Sequence, residues 1–298
     1  MNSNVARKLW VVALCMGLAA PSAWAGPVLD RIKQSDKLVI GNRDASVPFS
    51  YLDENRKPIG YAIDLCLKIA EAVRSKLGLG HLAIEYVTLT SATRIAAVAE
   101  GKVDLECEST TNNAERRQKV AFAMPHYITG AKYLVRAGSP IRDLTDFVGR
   151  TVASTVGTTP LKAITAASRE RSLGIRIVEV PDHVRGVEMV ERGEADGFVM
   201  DEVLLVGLIS SRPKPDQLKV VGRFLTTEAL GIMFPKTDPE LKQIVDGEMK
   251  RLILSREAMA IHDRWFLQPI PPNGRSLNLR MNYLLKDFWK FPSDWVPN

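Results

Sequence analysis

An alternation of strands and helices that occurs twice restricts the fold of this chain more than any other feature of its sequence. The hydrophobic patterns predict strands at residues 38–41, 83–87, 103–107, 151–155, 176–180 and 197–200, with helical patterns between them. In the helix after Gly60, for example, apolar residues recur at helical spacing from Ile63 to Leu77. Helices that cross between parallel strands give this alternation, so the sequence predicts an α/β protein built from two such units.

Polar residues follow the predicted strands of the first unit. They lie just past a strand end or on the first turn of the next helix: Arg43, Ser91, Arg94, Ser109 and Thr111. Ligands bind beyond the carboxyl ends of the strands in sheets of this kind, so a polar binding site is expected at this edge. Ser91 also fits the N-cap of a helix at residues 92–100.

The segment after the third strand, residues 109–113, is called the hydroxyl loop here. It carries Ser109, Thr110 and Thr111 and leads to Arg116. Hydroxyl groups both donate and accept, and the guanidinium fork of an arginine matches a carboxylate, so this set suits a zwitterionic ligand better than a metal or a phosphate. A polar turn that merely caps a short helix is the alternative interpretation.

The second unit offers a complementary helix start. Residues 156–160 form a turn into a helix at 161–171, with Thr159 as the expected N-cap and Pro160 at the first helical position. The free N–H groups and positive dipole of a helix start favour a carboxylate. Further along, His183 and Asp201 each begin a segment that follows a strand.

Two extended hydrophobic runs, residues 127–136 and 229–234, lie between and after the units. Crossings at both places would join two lobes by a double hinge. We therefore expect lobe 1 at residues 26–134 and 229–298, and lobe 2 at residues 135–228. The tail from Pro269 is rich in proline and aromatic residues and is expected to pack along the first lobe.

The first 25 residues have the pattern of a secretory signal peptide. Arg7 and Lys8 precede an apolar run at 9–20, and Ala23-Trp24-Ala25 forms a small-x-small cleavage site. The run is too short for a permanent membrane span, so the sequence predicts an exported periplasmic protein. Only Cys66 and Cys107 remain after cleavage, and either a disulfide or two buried thiols is compatible with the sequence.

Charge and motif content exclude several classes of function. The net charge of +6 comes from scattered basic residues, which is not the pattern of a nucleic-acid surface. The four histidines, at positions 81, 126, 183 and 262, are isolated from one another, so no metal site is expected. Neither a G-x-S-x-G elbow nor a phosphate-binding G-x-x-x-x-G-K is found, and we expect binding without covalent chemistry or a cofactor.

Seven motifs in order carry a resemblance to a known family. They are Arg43-x-x-x-Val-Pro-Phe-Ser-Tyr51, Thr90-Ser-x-x-Arg-Ile95, Glu106-Cys-x-Ser-Thr-Thr-Asn-Asn-x-Glu-Arg116, Gly157-Thr-Thr159, Asp182-His183, Met200-Asp201 and Pro269-Ile-Pro-Pro272. In these the chain resembles the periplasmic polar amino-acid binding proteins of ABC importers, most closely the glutamate/aspartate-binding branch. The resemblance implies the two-lobed periplasmic binding protein fold of type II. One departure is Glu108, where the family pattern leads us to expect glycine.

The resemblance implies a role for each candidate residue. Arg116, with Thr159, would bind the α-carboxylate of the ligand, while Asp201, Ser109 and Thr111 would bind its α-ammonium. The side-chain carboxylate would be surrounded by Arg43, Ser91, Arg94 and His183. Such a cluster of cationic groups demands an acidic side chain, because a neutral one would leave buried cations unpaired. The pKa of His183, ordinarily about 6.5, is expected to rise when the ligand binds.

The function implied by the resemblance is capture of glutamate or aspartate by lobe closure and delivery to an inner-membrane ABC permease, by a protein expected to be monomeric. The sequence does not rank the two ligands. A periplasmic dehydratase-like enzyme of the same fold is an alternative, because Glu108 in the cleft could act as a general acid. A ligand-sensing module of a receptor is another, for which a membrane span beyond the lobes would be expected.

Overall fold

The computed structural model describes residues 26–296. The predicted signal peptide, residues 1–25, lies outside the described residues. Within residues 26–296, no helix has the length and apolar composition needed to cross a membrane.

The described chain contains fifteen strands and ten α-helices. The strands are β1 (Lys37–Asn42), β2 (Ala45–Ser46), β3 (Ser50–Leu52), β4 (Pro58–Ile59), β5 (Ala83–Thr88), β6 (Leu105–Glu106), β7 (Ala121–Phe122), β8 (Tyr127–Thr129), β9 (Ala131–Arg136), β10 (Thr151–Thr155), β11 (Arg176–Val180), β12 (Gly197–Asp201), β13 (Leu218–Val221), β14 (Glu228–Leu230) and β15 (Met233–Phe234). The helices are α1 (Pro27–Ser35), α2 (Tyr61–Leu77), α3 (Arg94–Ala99), α4 (Ala114–Arg117), α5 (Thr159–Glu170), α6 (His183–Glu191), α7 (Glu202–Ser210), α8 (Pro239–Leu254), α9 (Glu257–Phe266) and α10 (Tyr283–Phe288).

Two five-stranded sheets form the centres of two lobes. The first has the order β5-β1-β6-β15-β7, and the second has the order β11-β10-β12-β9-β13. In each sheet four strands run parallel, and one strand, β15 in the first sheet and β9 in the second, runs antiparallel to them. The predicted two-lobed α/β fold is confirmed. The six strands predicted from the sequence correspond to β1, β5, β6, β10, β11 and β12, with ends that differ by at most two residues.

The two crossings between the lobes lie side by side. Strand β8 pairs antiparallel with β14, and Gly130 follows β8 directly. A Cβ atom at Gly130 would lie 2.2 Å from the carbonyl oxygen of Thr226, so only glycine allows the two crossing segments to approach this closely. The expected lobe boundary at residue 134 falls inside β9, which pairs along its length with the second sheet. We therefore propose Gly130 as the boundary between the lobes at this crossing.

A disulfide between Cys66 and Cys107 ties the first sheet to its main helix. Cys66 lies in α2 and Cys107 directly follows β6, with their Cα atoms 6.2 Å apart. Both residues are fully buried in the core of the first lobe. The structure thus decides the choice that the sequence leaves open, and the bond fixes the strand end from which the hydroxyl loop begins.

The C-terminal tail packs along the first lobe, as predicted. The Tyr51 hydroxyl donates to the carbonyl of Pro271 at 2.9 Å, and the Trp289 indole N–H donates to the carbonyl of Pro125 at 3.1 Å. The tail also reaches the second lobe, because the Arg275 guanidinium donates to the carbonyl of Ser210 at 3.1 Å. The tail therefore contacts both sides of the hinge.

We predict that replacing both cysteines, in Cys66→Ala/Cys107→Ala, lowers the free energy of unfolding by about 2–4 kcal/mol, because the unfolded chain loses a cross-link that closes a loop of 41 residues. Urea unfolding followed by circular dichroism measures this difference. A reducing agent should destabilise the natural chain by a similar amount and leave the double variant unchanged. Equal stabilities of the oxidised natural chain and the double variant would contradict the prediction.

Candidate functional site

The nine candidate residues of the sequence analysis come together where the two lobes meet. Seven of them line one small cavity of about 10 Å³, enough for about one water molecule: Ser91, Arg94, Ser109, Thr111, Thr159, His183 and Asp201. The other two, Arg43 and Arg116, contact members of this group through hydrogen bonds. The cleft is thus a polar site almost filled by the side chains of both lobes.

Arg116 spans the cleft at one end. Its Nη1 donates to the carbonyl of Thr111 in the first lobe at 2.9 Å, and its Nη2 donates to the carbonyl of Gly157 in the second lobe at 3.2 Å. The side chain of Asn113 caps α4 by accepting from the Arg116 backbone N–H at 2.9 Å. The two groups that accept from the Arg116 guanidinium are neutral carbonyls. The buried cation can therefore still accommodate an anion.

Two threonine hydroxyls beside Arg116 hold a carboxylate at the hinge. The Oγ1 atoms of Thr111 and Thr159 lie 3.1 Å apart across the lobes, and both contact Oε2 of Glu228 in β14. Thr226 donates to the other oxygen of Glu228 at 2.8 Å. Glu228 was not among the residues predicted from the sequence. The only signal in the sequence that could have identified Glu228 is its position next to the predicted hinge run at residues 229–234.

Asp201 supplies a carboxylate to the cavity from the second lobe. It ends β12, is almost fully buried, and its Oδ1 has no hydrogen-bond partner among residues 26–296. Burial and the neighbouring charge of Glu228 raise the pKa of Asp201 well above its usual range, and Arg94 and Arg116 oppose this effect. A buried acceptor without a partner, beside the hydroxyl-bearing Ser109 and Thr111, is suited to an ammonium group.

At the far end, two arginines share one carboxylate of the chain itself. Arg43 Nη1 donates to Glu108 Oε2 at 2.9 Å and to Ser91 Oγ at 2.9 Å, and Arg94 Nη1 donates to Glu108 Oε1. All four side chains are buried. Glu108, noted in the sequence as a departure from the family pattern and as the general acid of the alternative enzyme, is therefore a central member of the site.

A second buried glutamate adjoins this cluster. Thr110 Oγ1 lies 2.9 Å from Glu106 Oε1 and 3.0 Å from Glu108 Oε1, although a hydroxyl has a single proton to donate. Burial raises the pKa of Glu106 to about 7, despite the opposing charge of Arg94. Glu106 belongs to one of the seven motifs, but its position inside a strand pattern does not distinguish it from a structural residue, so the sequence predicts no role for it.

His183 begins α6 and reaches the cavity from the second lobe. Its Nδ1 lies 2.8 Å from Thr155 Oγ1, and Asp182 caps the helix. Burial, followed by the charges of Arg43 and Arg94, lowers the pKa of His183 well below 6.5. The imidazole is therefore neutral near pH 7, and the expectation of an ordinary starting pKa is wrong.

The helix caps differ from those predicted, which frees two hydroxyls for the site. Helix α3 begins at Arg94, with Thr93 rather than Ser91 at its N-cap. The side chain of Thr158, not that of Thr159, caps α5 by accepting from the Leu161 backbone N–H at 3.3 Å. The sequence positions alone could not separate these neighbours, since either residue type is a good cap.

His126 supports the hydroxyl loop from below. Its Nε2 lies 3.0 Å from the backbone carbonyl of Glu108, and since a carbonyl only accepts, Nε2 carries the proton. The ring lies fully buried against Phe49 and Tyr61. This burial lowers the pKa of His126 to about 3.

Comparison with known proteins gives the relatives of this chain. Bacterial extracellular solute-binding proteins, family 3, match residues 38–268. The chain is 37% identical to the glutamate/aspartate import solute-binding protein of Salmonella typhimurium, over 98% of this chain and 99% of that protein. It is 40% identical to the L-glutamate/L-aspartate-binding protein of Pseudomonas aeruginosa, over 89% of this chain and 88% of that protein.

Solved structures agree on the fold. A mutant of the arginine-binding protein ArgBP from T. maritima superposes with a TM-score of 0.71 at 25% identity, covering 80% of this chain and 98% of that one. The ancestral amino acid-binding protein AncCDT-1, described as a precursor of cyclohexadienyl dehydratase, superposes with a TM-score of 0.67 at 26% identity, over 80% of this chain and 98% of that one.

We predict that His126 makes the fold sensitive to acid. Because the unfolded chain binds a proton below about pH 6.5 and the folded chain does so only near pH 3, this residue's contribution to stability is lost as pH falls through that window. Compared with His126→Gln, the natural chain should lose about 1.4 kcal/mol more of unfolding free energy per pH unit. Urea unfolding between about pH 4 and 7 measures the two slopes, and equal slopes would refute the assignment.

Proposed function

The chain belongs to the bacterial extracellular solute-binding proteins of family 3, and from this premise we propose that it captures an acidic amino acid, glutamate or aspartate, for import by an ABC transporter. The observation that carries the proposal is the presence of a buried cation and a buried carboxylate in one cleft between the lobes. Arg116 contacts carbonyl groups of both lobes beside the cavity, and Asp201 lines the cavity with an oxygen that has no hydrogen-bond partner in the described chain. This arrangement complements the carboxylate and ammonium groups of an amino acid.

In the proposed complex, each lobe binds part of the ligand backbone. Arg116 and Ser109, from the first lobe, would bind the α-carboxylate and the α-ammonium respectively. Thr159 and Asp201, from the second lobe, would complete the two subsites, and Thr111 would bridge them. A ligand that contacts both lobes stabilises the closed arrangement over the open one, so binding shifts an equilibrium about the hinge.

The acidic side chain would point toward the far end of the cleft. Arg94, Ser91 and the neutral His183 line the cavity there, with Arg43 behind Ser91. Guanidinium groups in a buried site favour a carboxylate over its neutral amide. We place the protein in the periplasm as a monomer, with the membrane-embedded permease as the partner that recognises the closed form.

A dehydratase-like activity is the second candidate, supported by the likeness to AncCDT-1 and by a glutamate in the cleft. A general acid needs a proton to donate. Both oxygens of Glu108 instead accept from guanidinium groups, which is the arrangement of an ion-paired carboxylate. We therefore favour binding without turnover. Incubation with candidate carboxylic acids, followed by product analysis, separates the two functions.

Calorimetric titration of the mature protein with the common amino acids tests the proposal. We expect one molecule of glutamate or aspartate to bind per chain, about tenfold tighter than glutamine or asparagine, which corresponds to roughly 1.4 kcal/mol. Binding of an amino acid with a neutral or basic side chain in preference to both acids would contradict the proposed ligand class.

Arg116→Ala should reduce the affinity for the preferred amino acid by at least about 2 kcal/mol, since the α-carboxylate loses its charged partner. Arg117→Ala is the matched control, because Arg117 donates to the side chain of Asn112 in the first lobe at 2.8 Å, whereas Arg116 donates to backbone carbonyls of both lobes. Calorimetry on both folded variants makes the comparison. Near-natural affinity in Arg116→Ala would refute the role given to this arginine.

Gly157→Ala should weaken binding by opposing closure. A Cβ atom at Gly157, in the second lobe, would lie 2.7 Å from the carbonyl oxygen of Ser91 in the first. Gly174→Ala is the control, because Gly174 also has a positive φ but no atom within 4 Å of the added Cβ. Only the first variant should lose affinity by about tenfold or more, whereas both carry backbone strain of about 1 kcal/mol. Equal affinities of the two variants would contradict the closed arrangement as the binding state.

A further inference from the structure

We propose that Glu108 is a specificity-determining residue that competes with the side-chain carboxylate of the ligand for the two arginines at the far end of the cleft. This inference rests on the proposed function, since it concerns how strongly that site discriminates an acid from its amide. Its consequence is that the natural chain binds acidic amino acids less tightly than its arginines alone would allow.

The contacts of Glu108 are those of a bound anion. Its Oε2 accepts from Arg43 and its Oε1 accepts from Arg94, and its side chain is fully buried. Thr110 adds a hydroxyl 3.0 Å from Oε1. Two guanidinium groups and a hydroxyl on one carboxylate are what an acidic ligand would require of this end of the site.

The pairing changes the charge that a ligand meets. Arg43 and Arg94 together carry two positive charges, and the ion-paired Glu108 cancels one of them. Glu106, buried beside Arg94, lowers the remaining positive potential further when it is ionised. An acidic ligand therefore gains less binding free energy at this end of the cleft than it would from two unpaired arginines. The charge of Glu108 has much less effect on the binding of a neutral amide.

The arginines retain capacity for another acceptor. The Nε atoms of both Arg43 and Arg94 are buried and have no hydrogen-bond partner within the described part of the chain. Buried donors of charged groups are costly to leave unpaired. A ligand oxygen can therefore be accommodated here, either beside Glu108 or in its place, and removal of Glu108 increases the number of donors available to it.

A purely structural role for Glu108 makes the opposite prediction. If its only effect were to neutralise two buried arginines, its removal would leave them unpaired, lower the stability of the protein and weaken binding of every ligand. If Glu108 competes with the ligand as we propose, its removal also lowers the stability of the ligand-free protein, but it strengthens the binding of acids selectively. The acid-to-amide ratio of affinities therefore distinguishes the two roles.

Calorimetric titration with glutamate, aspartate, glutamine and asparagine on the natural chain, Glu108→Ala and Glu108→Gln is the test. Both variants should bind the two acids about tenfold tighter than the natural chain does, and the two amides within about twofold of it. Glu85→Gln is the control for net charge, because Glu85 on β5 forms a half-exposed ion pair with Lys37 on β1. This variant should leave all four affinities unchanged.

Each outcome decides the matter. Should Glu108→Ala fail to fold, Glu108→Gln carries the test, because it keeps the shape and the hydrogen-bonding oxygen without the charge. Unchanged or weaker acid binding in a folded variant would overturn the competition. Binding of amides by the natural chain together with binding of acids by the variants would support it while overturning the acidic ligand proposed for the natural chain. Absence of amino-acid binding in all of the proteins would overturn both.

Discussion

Buried charge is the constraint on which the cleft depends. Arg43, Arg94 and Arg116 lie almost fully buried at one edge of the first sheet, and Asp201 is buried at the facing edge of the second. Charges removed from water are tolerated only when they meet opposite charges or strong hydrogen-bond partners. The chain meets this requirement through Glu108 at one end of the cleft and through carbonyl groups around Arg116 at the other.

Contacts in the core of the first lobe fix the strand ends that carry these charged residues. The disulfide joins the end of β6 to α2, and His126 binds the backbone of Glu108 from the core below. The hydroxyl loop begins directly after these two anchors, and its Ser109 and Thr111 line the cavity between the lobes. A rigid first lobe of this kind offers a preorganised half-site, and the second lobe then contributes Thr159, His183 and Asp201.

The hinge takes part in the same electrostatic network. Glu228 lies in β14, one of the two crossing strands, and contacts hydroxyls from both lobes. Its charge also contributes to the raised pKa of Asp201. A hinge residue and a cleft residue of the second lobe are therefore electrostatically linked.

The sequence by itself determined the α/β alternation, the two lobes and the convergence of nine polar residues, because hydrophobic periodicity is local and strand ends of parallel sheets meet at one edge. Only the tertiary structure decided the partners of individual side chains. Arg43 and Glu108 are 65 positions apart, and Thr111 and Glu228 are 117 apart, so no local pattern relates them. The two cysteines of the disulfide are likewise 41 positions apart, so no local pattern pairs them. Burial, which moves the pKa of His183 away from its ordinary value, likewise depends on segments that are distant in the chain.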